Sequence, residues 1–122
     1  MDDNPFSAID HFQLAMPVGE EETARIFFRD LLGMVEIPKP VELAKRGGCW
    51  FQSGIVQIHM GVDKNFHPAG KAHPALRCRD YSALVPKLRA AGVCVRDDFE
   101  IPGTTRCHVL DPWGNRIELI SE

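Results

Sequence analysis

The sequence predicts an α+β fold built from two tandem modules, each reading strand, helix, strand, strand, strand. Three observations predict it. Apolar residues alternate between a period of two and a helical period along the chain. The order of these patterns restarts near residue 72. The punctuation restarts with it, each helix closing on a glycine and each module on a hairpin. With 122 residues, 44% of them hydrophobic and 25% charged, the composition is that of a globular domain, which excludes collagenous, low-complexity and disordered chains. A chain of this length is one domain, 1–122, and buries roughly two-thirds of the surface its unfolded form exposes.

The elements follow in order. Residues 8–16 alternate, with Phe12, Leu14 and Met16 on one face and His11, Gln13 and Ala15 on the other, which is a strand with one oily face. Pro17 and Gly19 end it, and Glu20, Glu21 and Glu22 suit the positive end of a helix. Ala24, Phe27, Phe28, Leu31 and Leu32 then recur at helical spacing, and Gly33 supplies the C-terminal cap. Residues 34–37 read as a short strand. A Pro-rich connection follows, and Arg46-Gly47-Gly48 leads into a hairpin, residues 49–51 and 55–60, turning at Ser53-Gly54. Module one therefore spans about 8–60. Residues 61–71 carry Asp63, Lys64, Asn65, Pro68 and Gly70 without periodicity and form a connector. In module two, about 72–120, residues 73–78 are a strand. Residues 81–91 put Leu84, Leu88 and Ala91 on one helical face before Gly92, 93–95 are a strand, and 104–110 with 115–120 form the second hairpin.

The net charge of −3, with Lys and Arg scattered along the chain, offers no basic stripe for a nucleic acid. No apolar run approaches the eighteen or so residues that span a bilayer. The opening Met1-Asp2-Asp3-Asn4-Pro5 is acidic where a secretory signal is basic and then apolar. The expectation is a cytoplasmic protein with no nucleic-acid or membrane partner. Cys49, Cys78, Cys94 and Cys107 form no CxxC pair and sit among strand residues, which reads as reduced, mostly buried thiols.

Three residues occupy matching points of the repeat with side chains turned from the oily faces: His11 in the first strand, His73 opening the fifth and Glu118 in the eighth. Two imidazoles and a carboxylate on one face make a set that holds a divalent metal with positions open. In the fourth strand Gln57 and His59 share that parity; matching Gln57-Ile58 to Glu118-Leu119 favours Gln57 as a ligand, leaving His59 as a base, a substrate contact or an alternative ligand. Arg77, Arg106 and His108 share the face, and an arginine there would clamp a carboxylate or phosphate. Asp111-Pro112-Trp113-Gly114-Asn115 is a tight turn that fixes the register of Glu118. Ser53 is a turn residue, His67 a solvent-exposed one, and Trp50 and Trp113 sit beside turns.

These residues resemble the vicinal oxygen chelate superfamily, which includes glyoxalases, bleomycin-resistance proteins, fosfomycin-modifying enzymes and extradiol dioxygenases. The resemblance runs from Ile9-Asp10-His11 to Glu118-Leu119-Ile120 and rests on Asp10-His11-Phe12-Gln13-Leu14, on residues 27–34, on Ala72-His73-Pro74-Ala75-Leu76 and above all on DPWGNRIEL, 111–119. It implies paired βαβββ modules curved into a cup, with helices outside. It implies one divalent metal (Zn, Fe, Mn, Ni or Co) on His11, His73 and Glu118, with Gln57 where glyoxalase-like members often have glutamate. A catalytic base would be Glu118 or His59. The implied activity is a metal-dependent lyase, isomerase or transferase acting on a small oxygenated metabolite or xenobiotic by chelating neighbouring oxygens, in a homodimer. The single tyrosine, Tyr81, begins a helix rather than facing the cup, which counts against ring cleavage. The competing class is a metal-free, bleomycin-resistance-type protein that binds a planar drug, and a third is a scaffold domain with a vestigial site.

Overall fold

The computed structural model describes residues 3–122; Met1 and Asp2, part of the acidic opening, lie outside the described residues. The chain forms β1 (Phe12–Met16), helix α1 (Glu21–Ala24, continuing through Arg25–Leu31), β2 (Val35–Ile37), a one-turn helix α2 (Val41–Ala44), β3 (Cys49–Ser53) and β4 (Val56–Val62). Then come β5 (Ala75–Cys78), α3 (Tyr81–Ala90), β6 (Val95–Asp98), β7 (Arg106–Leu110) and β8 (Arg116–Ser121). Two four-stranded mixed sheets result, ordered β1-β4-β3-β2 and β5-β8-β7-β6. In each, the first pair is parallel and the others are antiparallel. The α+β fold of two βαβββ modules is therefore the observed one.

The differences from the sequence pattern have local causes. Pro74 has no N–H for a ladder, so β5 starts at Ala75, and His73 lies just ahead of it; Pro74 O still accepts the Glu118 N–H at 2.9 Å. Val93 N–H is spent on Leu88 O at 3.0 Å, closing α3 beyond Gly92, so β6 begins two residues later than its apolar pattern. The Pro-rich connection contains α2, for which Pro40 supplies a pre-set φ of −53° at the start. Helix α1 widens along its second half, Leu32 N–H reaching Phe27 O at 2.9 Å, five residues back. Gly33 and Gly92 take the left-handed caps expected of them, with φ of 75° and 83°.

Helices α1 and α3 cover the faces that alternation made oily. Phe28 of α1 stacks on Phe51 of β3, ring centroids 5.4 Å apart, and Phe27 meets Phe28 edge-on at 4.9 Å. In module two Tyr81, Val85 and Leu88 of α3 are buried with Cys107, Val109, Ile117 and Leu119, and the buried apolar side chains of both modules form one cluster. None of the four cysteines is paired; Cys49 and Cys107 are buried, Cys78 is half-buried, and Cys94 is exposed ahead of β6.

A polar clasp ties the modules. Asp111 Oδ1 accepts from the Trp113 and Asn115 N–H groups at 3.0 and 2.8 Å, closing the turn before β8. Asn115 Nδ2 then donates to Asp111 Oδ2 at 2.7 Å and to Ala15 O on β1 at 2.8 Å. Burial pushes the Asp111 carboxyl up, against the hydrogen bonds from Asn115, Trp113 and Gly114 that pull it down. Both Asp111 and Asn115 are buried, so neither has water to fall back on. Replacing Asn115 by Ala leaves Asp111 Oδ2 and Ala15 O without these donors; the expected loss is about 2 to 3 kcal/mol of unfolding free energy in a urea titration, read beside the wild type.

Candidate metal centre

The site grows from strand parity in module two. Glu118 stands between Ile117 and Leu119, which go into the core, so its carboxylate lies on the opposite face of the sheet. The register sets Glu118 opposite His108 on β7 and opposite Ala75 on β5. His73, two residues before Ala75, keeps the same parity and brings Nε2 to 3.0 Å from Glu118 Oε1. Arg106, two residues before His108, donates through Nη1 to Glu118 Oε2 at 2.9 Å. Its Nη2 stands 2.9 Å from Asp98 Oδ2 on β6, and the same oxygen accepts from His108 Nε2 at 2.9 Å. His73, Glu118, Arg106, Asp98 and His108 thus form one chain of contacts across three neighbouring strands and the lip of a fourth.

Burial pushes the Glu118 carboxyl up, but hydrogen bonds from Arg106 and His73 and the charge of Arg106 outweigh it and hold the group below its ordinary value. Asp98 is held low by the Glu100 N–H and by His108, with the Arg106 charge adding to both. Arg106 is pulled up by its hydrogen bond to Glu118. The centre is therefore built to keep two carboxylates ionised in a mostly enclosed place.

The histidine contacts specify tautomers. His73 Nδ1 lies 2.9 Å from Lys71 O, and a carbonyl only accepts, so the proton is on Nδ1. Its Nε2 then meets a carboxylate, which requires a second ring proton or a cation shared between the two. Two ligands set at right angles on one ion, with bonds of roughly 2.1 Å, stand about 3.0 Å apart. The observed Nε2 to Oε1 separation is 3.0 Å. His108 gives its Nε2 proton to Asp98, leaving Nδ1 with the lone pair; that atom is buried without a hydrogen-bond partner. His73, His108 and Glu118 each offer a ligand-type atom within 4.8 Å of the others, the one such group among the described residues.

Module one carries a different half. His11, Gln57 and His59 lie together on the corresponding sheet face, but His11 is not in the group with His73 and Glu118. Its Nδ1 is 2.8 Å from Asp10 Oδ2, and its ring stacks on His59 at 4.0 Å; His59 stacks in turn on Trp50 at 3.9 Å. Gln57 Oε1 lies 3.2 Å from His59 Nε2, which puts the His59 proton on Nε2. The second residue after each strand-opening histidine, Gln13 or Ala75, stands opposite His59 in module one and Glu118 in module two. By register His59 thus occupies the place of Glu118, and Gln57 precedes it by two residues on the same face.

Of the arginines on the Glu118 face, Arg106 is half-buried and committed to two carboxylates, whereas Arg77 on β5 is exposed with no ion-pair partner among the described residues. Arg96, opposite His108, and Arg116, two residues before Glu118, share that face and are likewise unpaired among the described residues. Sequence reasoning missed Asp98, Arg96 and Arg116. The signal for Asp98 was its parity on a strand that runs three residues beyond the 93–95 its apolar pattern suggests. Tyr81, the first residue of α3, is buried with the core and not at this face.

The chain superposes on a glyoxalase family protein from Bacillus anthracis with a TM-score of 0.93 and 49% sequence identity, covering 98% of each chain. The chain belongs to the glyoxalase family, within the vicinal oxygen chelate superfamily. Two further structures share this glyoxalase fold. The fosfomycin resistance protein FosX from Listeria monocytogenes matches with a TM-score of 0.74 and 15% identity, over 96% of this chain and 94% of that one. Lactoylglutathione lyase from Agrobacterium tumefaciens matches with a TM-score of 0.69 and 19% identity, over 97% and 96%. No protein-family model matches the chain, and no curated protein does. No helix is long and apolar enough to cross a membrane among the described residues.

The buried ring of the glyoxalase chain's module one gives a pH prediction. Burial lowers the His59 pKa, and the neighbouring His11 charge lowers it further. A histidine whose folded value is depressed contributes stability that is complete above its ordinary value of about 6.5 and is lost as pH falls through the folded value. Wild-type melting temperature is expected to drop more between about pH 7.5 and about pH 5 than that of His59→Phe, which keeps a stacking ring without the titration. Parallel thermal melts of the metal-free proteins check it.

Proposed function

We propose that this glyoxalase family chain is a divalent-metal-dependent enzyme acting on a small, oxygen-rich anionic molecule, by lyase, isomerase or transferase chemistry. The observation that carries this reading is the His73 to Glu118 contact, in which a ring nitrogen whose partner already holds a proton faces an ionised carboxylate at 3.0 Å. The donor set fits a metal. His11 rests on Asp10, His73 on Lys71 O and His108 on Asp98, so each has one nitrogen anchored on an acceptor and the other available. Such anchoring is how proteins orient metal-binding imidazoles. A FosX variant from Listeria monocytogenes with the same fold is complexed with Mn(II) and 1S,2S-dihydroxypropylphosphonic acid.

In this reading His73 and Glu118 hold the metal, joined by His11 from the module-one face of a second copy in a homodimer, with Gln57 or His59 beside it. The metal would act as a Lewis acid, stabilising negative charge that develops on neighbouring substrate oxygens. The protein supplies the rest. Arg106 fixes Glu118 by taking Oε2 and leaving Oε1 to the site. Arg77, with Arg96 and Arg116, offers unpaired positive charge to a carboxylate, phosphate or phosphonate. His59, kept neutral and holding its proton on Nε2, has a lone pair on Nδ1 to accept a substrate proton, and the Trp50 ring beside it excludes water.

Elemental analysis of protein purified without a metal-affinity tag tests this. The expected result is near one equivalent of divalent metal per chain, restored by add-back after chelation and lost in both His73→Ala and Glu118→Ala. Retained metal in both variants, or none in the wild type after add-back, overturns the reading, and the second result makes metal-free binding of a planar ligand the better account. Mixing His11→Ala with Glu118→Ala chains checks the second copy: hybrid dimers are expected to regain metal binding that neither variant has alone.

A further inference from the structure

Building on the metal reading above, we infer that His108 of β7 is itself a metal ligand, so that the second module alone contributes three donors: His73, His108 and Glu118. The placement follows from the sheet. His108 is the cross-strand neighbour of Glu118, and its ring meets that of His73 edge-on with centroids 5.3 Å apart. Its Nδ1 is buried and has no hydrogen-bond partner, an arrangement that proteins seldom leave standing without a use. The proton it would need to form a hydrogen bond as a donor is already committed, because Nε2 donates to Asp98 Oδ2 at 2.9 Å. What remains is a lone pair directed from a fixed ring.

The distances admit the role. His73, His108 and Glu118 each bring one ring nitrogen or carboxylate oxygen within 4.8 Å of the others. Two ligands on opposite sides of one ion, with bonds of roughly 2.1 Å, stand at most about 4.2 Å apart. A closing movement of about half an ångström, within the reach of a side-chain rotation, is enough. The local chemistry also fits: Asp98 holds both the His108 ring and Arg106, while Arg106 holds Glu118, so one buried network orients two of the three donors. The third donor answers a shortage elsewhere. Module one provides an amide, Gln57, and an imidazole stacked between two rings, His59, but no carboxylate at the register position that Glu118 holds in module two.

Co(II) titration of the full chain, followed by visible and near-ultraviolet absorption and by competition with a chromophoric chelator, tests the assignment without reference to catalysis. His108→Asn is expected to weaken Co(II) binding at least tenfold. His108→Cys offers a thiolate at the same place and is expected to add a thiolate-to-cobalt charge-transfer band that the wild type, with its four native cysteines, lacks. Either variant that fails to fold is revealed by circular dichroism, and the other then decides. If His108→Asn binds Co(II) within twofold of wild type and His108→Cys shows no new band, the inference is overturned while the metal reading stands. Wild-type protein that takes up no Co(II) overturns both.

Discussion

The arrangement of the second module depends on one carboxylate that is kept ionised while mostly withdrawn from water. Glu118 is 8% exposed, and a lone carboxylate in such a place would give up its charge or its position. It does neither because Arg106 takes one oxygen and His73 faces the other. Arg106 in turn is held by Asp98, which also fixes His108. No member of this set is well placed without the others. Removing Arg106 would strand two carboxylates, and removing Asp98 would free both the guanidinium and the imidazole ring.

The geometry of that set is inherited from the hairpin. β7 and β8 run antiparallel from the 111–115 turn, and every cross-strand pair, His108 with Glu118 and Arg106 with Ile120, follows from the register set there. The turn is fixed internally by Asp111 and anchored externally by Asn115 on Ala15 O. A one-residue slip would send Glu118 into the core and Leu119 to the site. The clasp between modules and the placement of the carboxylate are therefore one constraint expressed twice.

Much of this was legible in the sequence, and the limits of legibility have a physical cause. Parity within a strand is a local property, so the facing of His11, Gln57, His59, Arg77, Arg106, His108 and Glu118 could be read from alternation. The glycine caps and the helix faces were readable for the same reason. Register between strands is not local. That His108 lies opposite Glu118, or that Arg106 bridges Asp98 and Glu118, depends on where a ladder starts, and ladder starts were set by details such as the missing N–H of Pro74 and the cap bond of Val93. Asp98 was invisible because a strand assigned to residues 93–95 ends before it. Which histidines share a site was likewise unreadable, since parity places a side chain on a face without saying which neighbouring face it meets.

The two modules share one scaffold and have diverged at equivalent places. Taking His11 with His73 as the common origin, His59 stands where Glu118 does, and Trp50, the cross-strand neighbour of His59, stands where His108 does. Module one thus presents a stack of aromatic rings where module two presents a network of ions. Rings laid 3.9 and 4.0 Å apart make a stiff, low-polarity wall. Such a wall raises the strength of any electrostatic interaction formed against it, because it replaces water with a less polarisable neighbour. In the proposed homodimer the ionic half of one copy would supply charge and the aromatic half of the other the medium in which that charge acts. A symmetric pair of ionic halves would crowd like charges together, and a symmetric pair of ring stacks would offer a cation no carboxylate at the Glu118 position. In the function proposed above, this division of labour is what would let a metal centre and a substrate pocket share so small a chain.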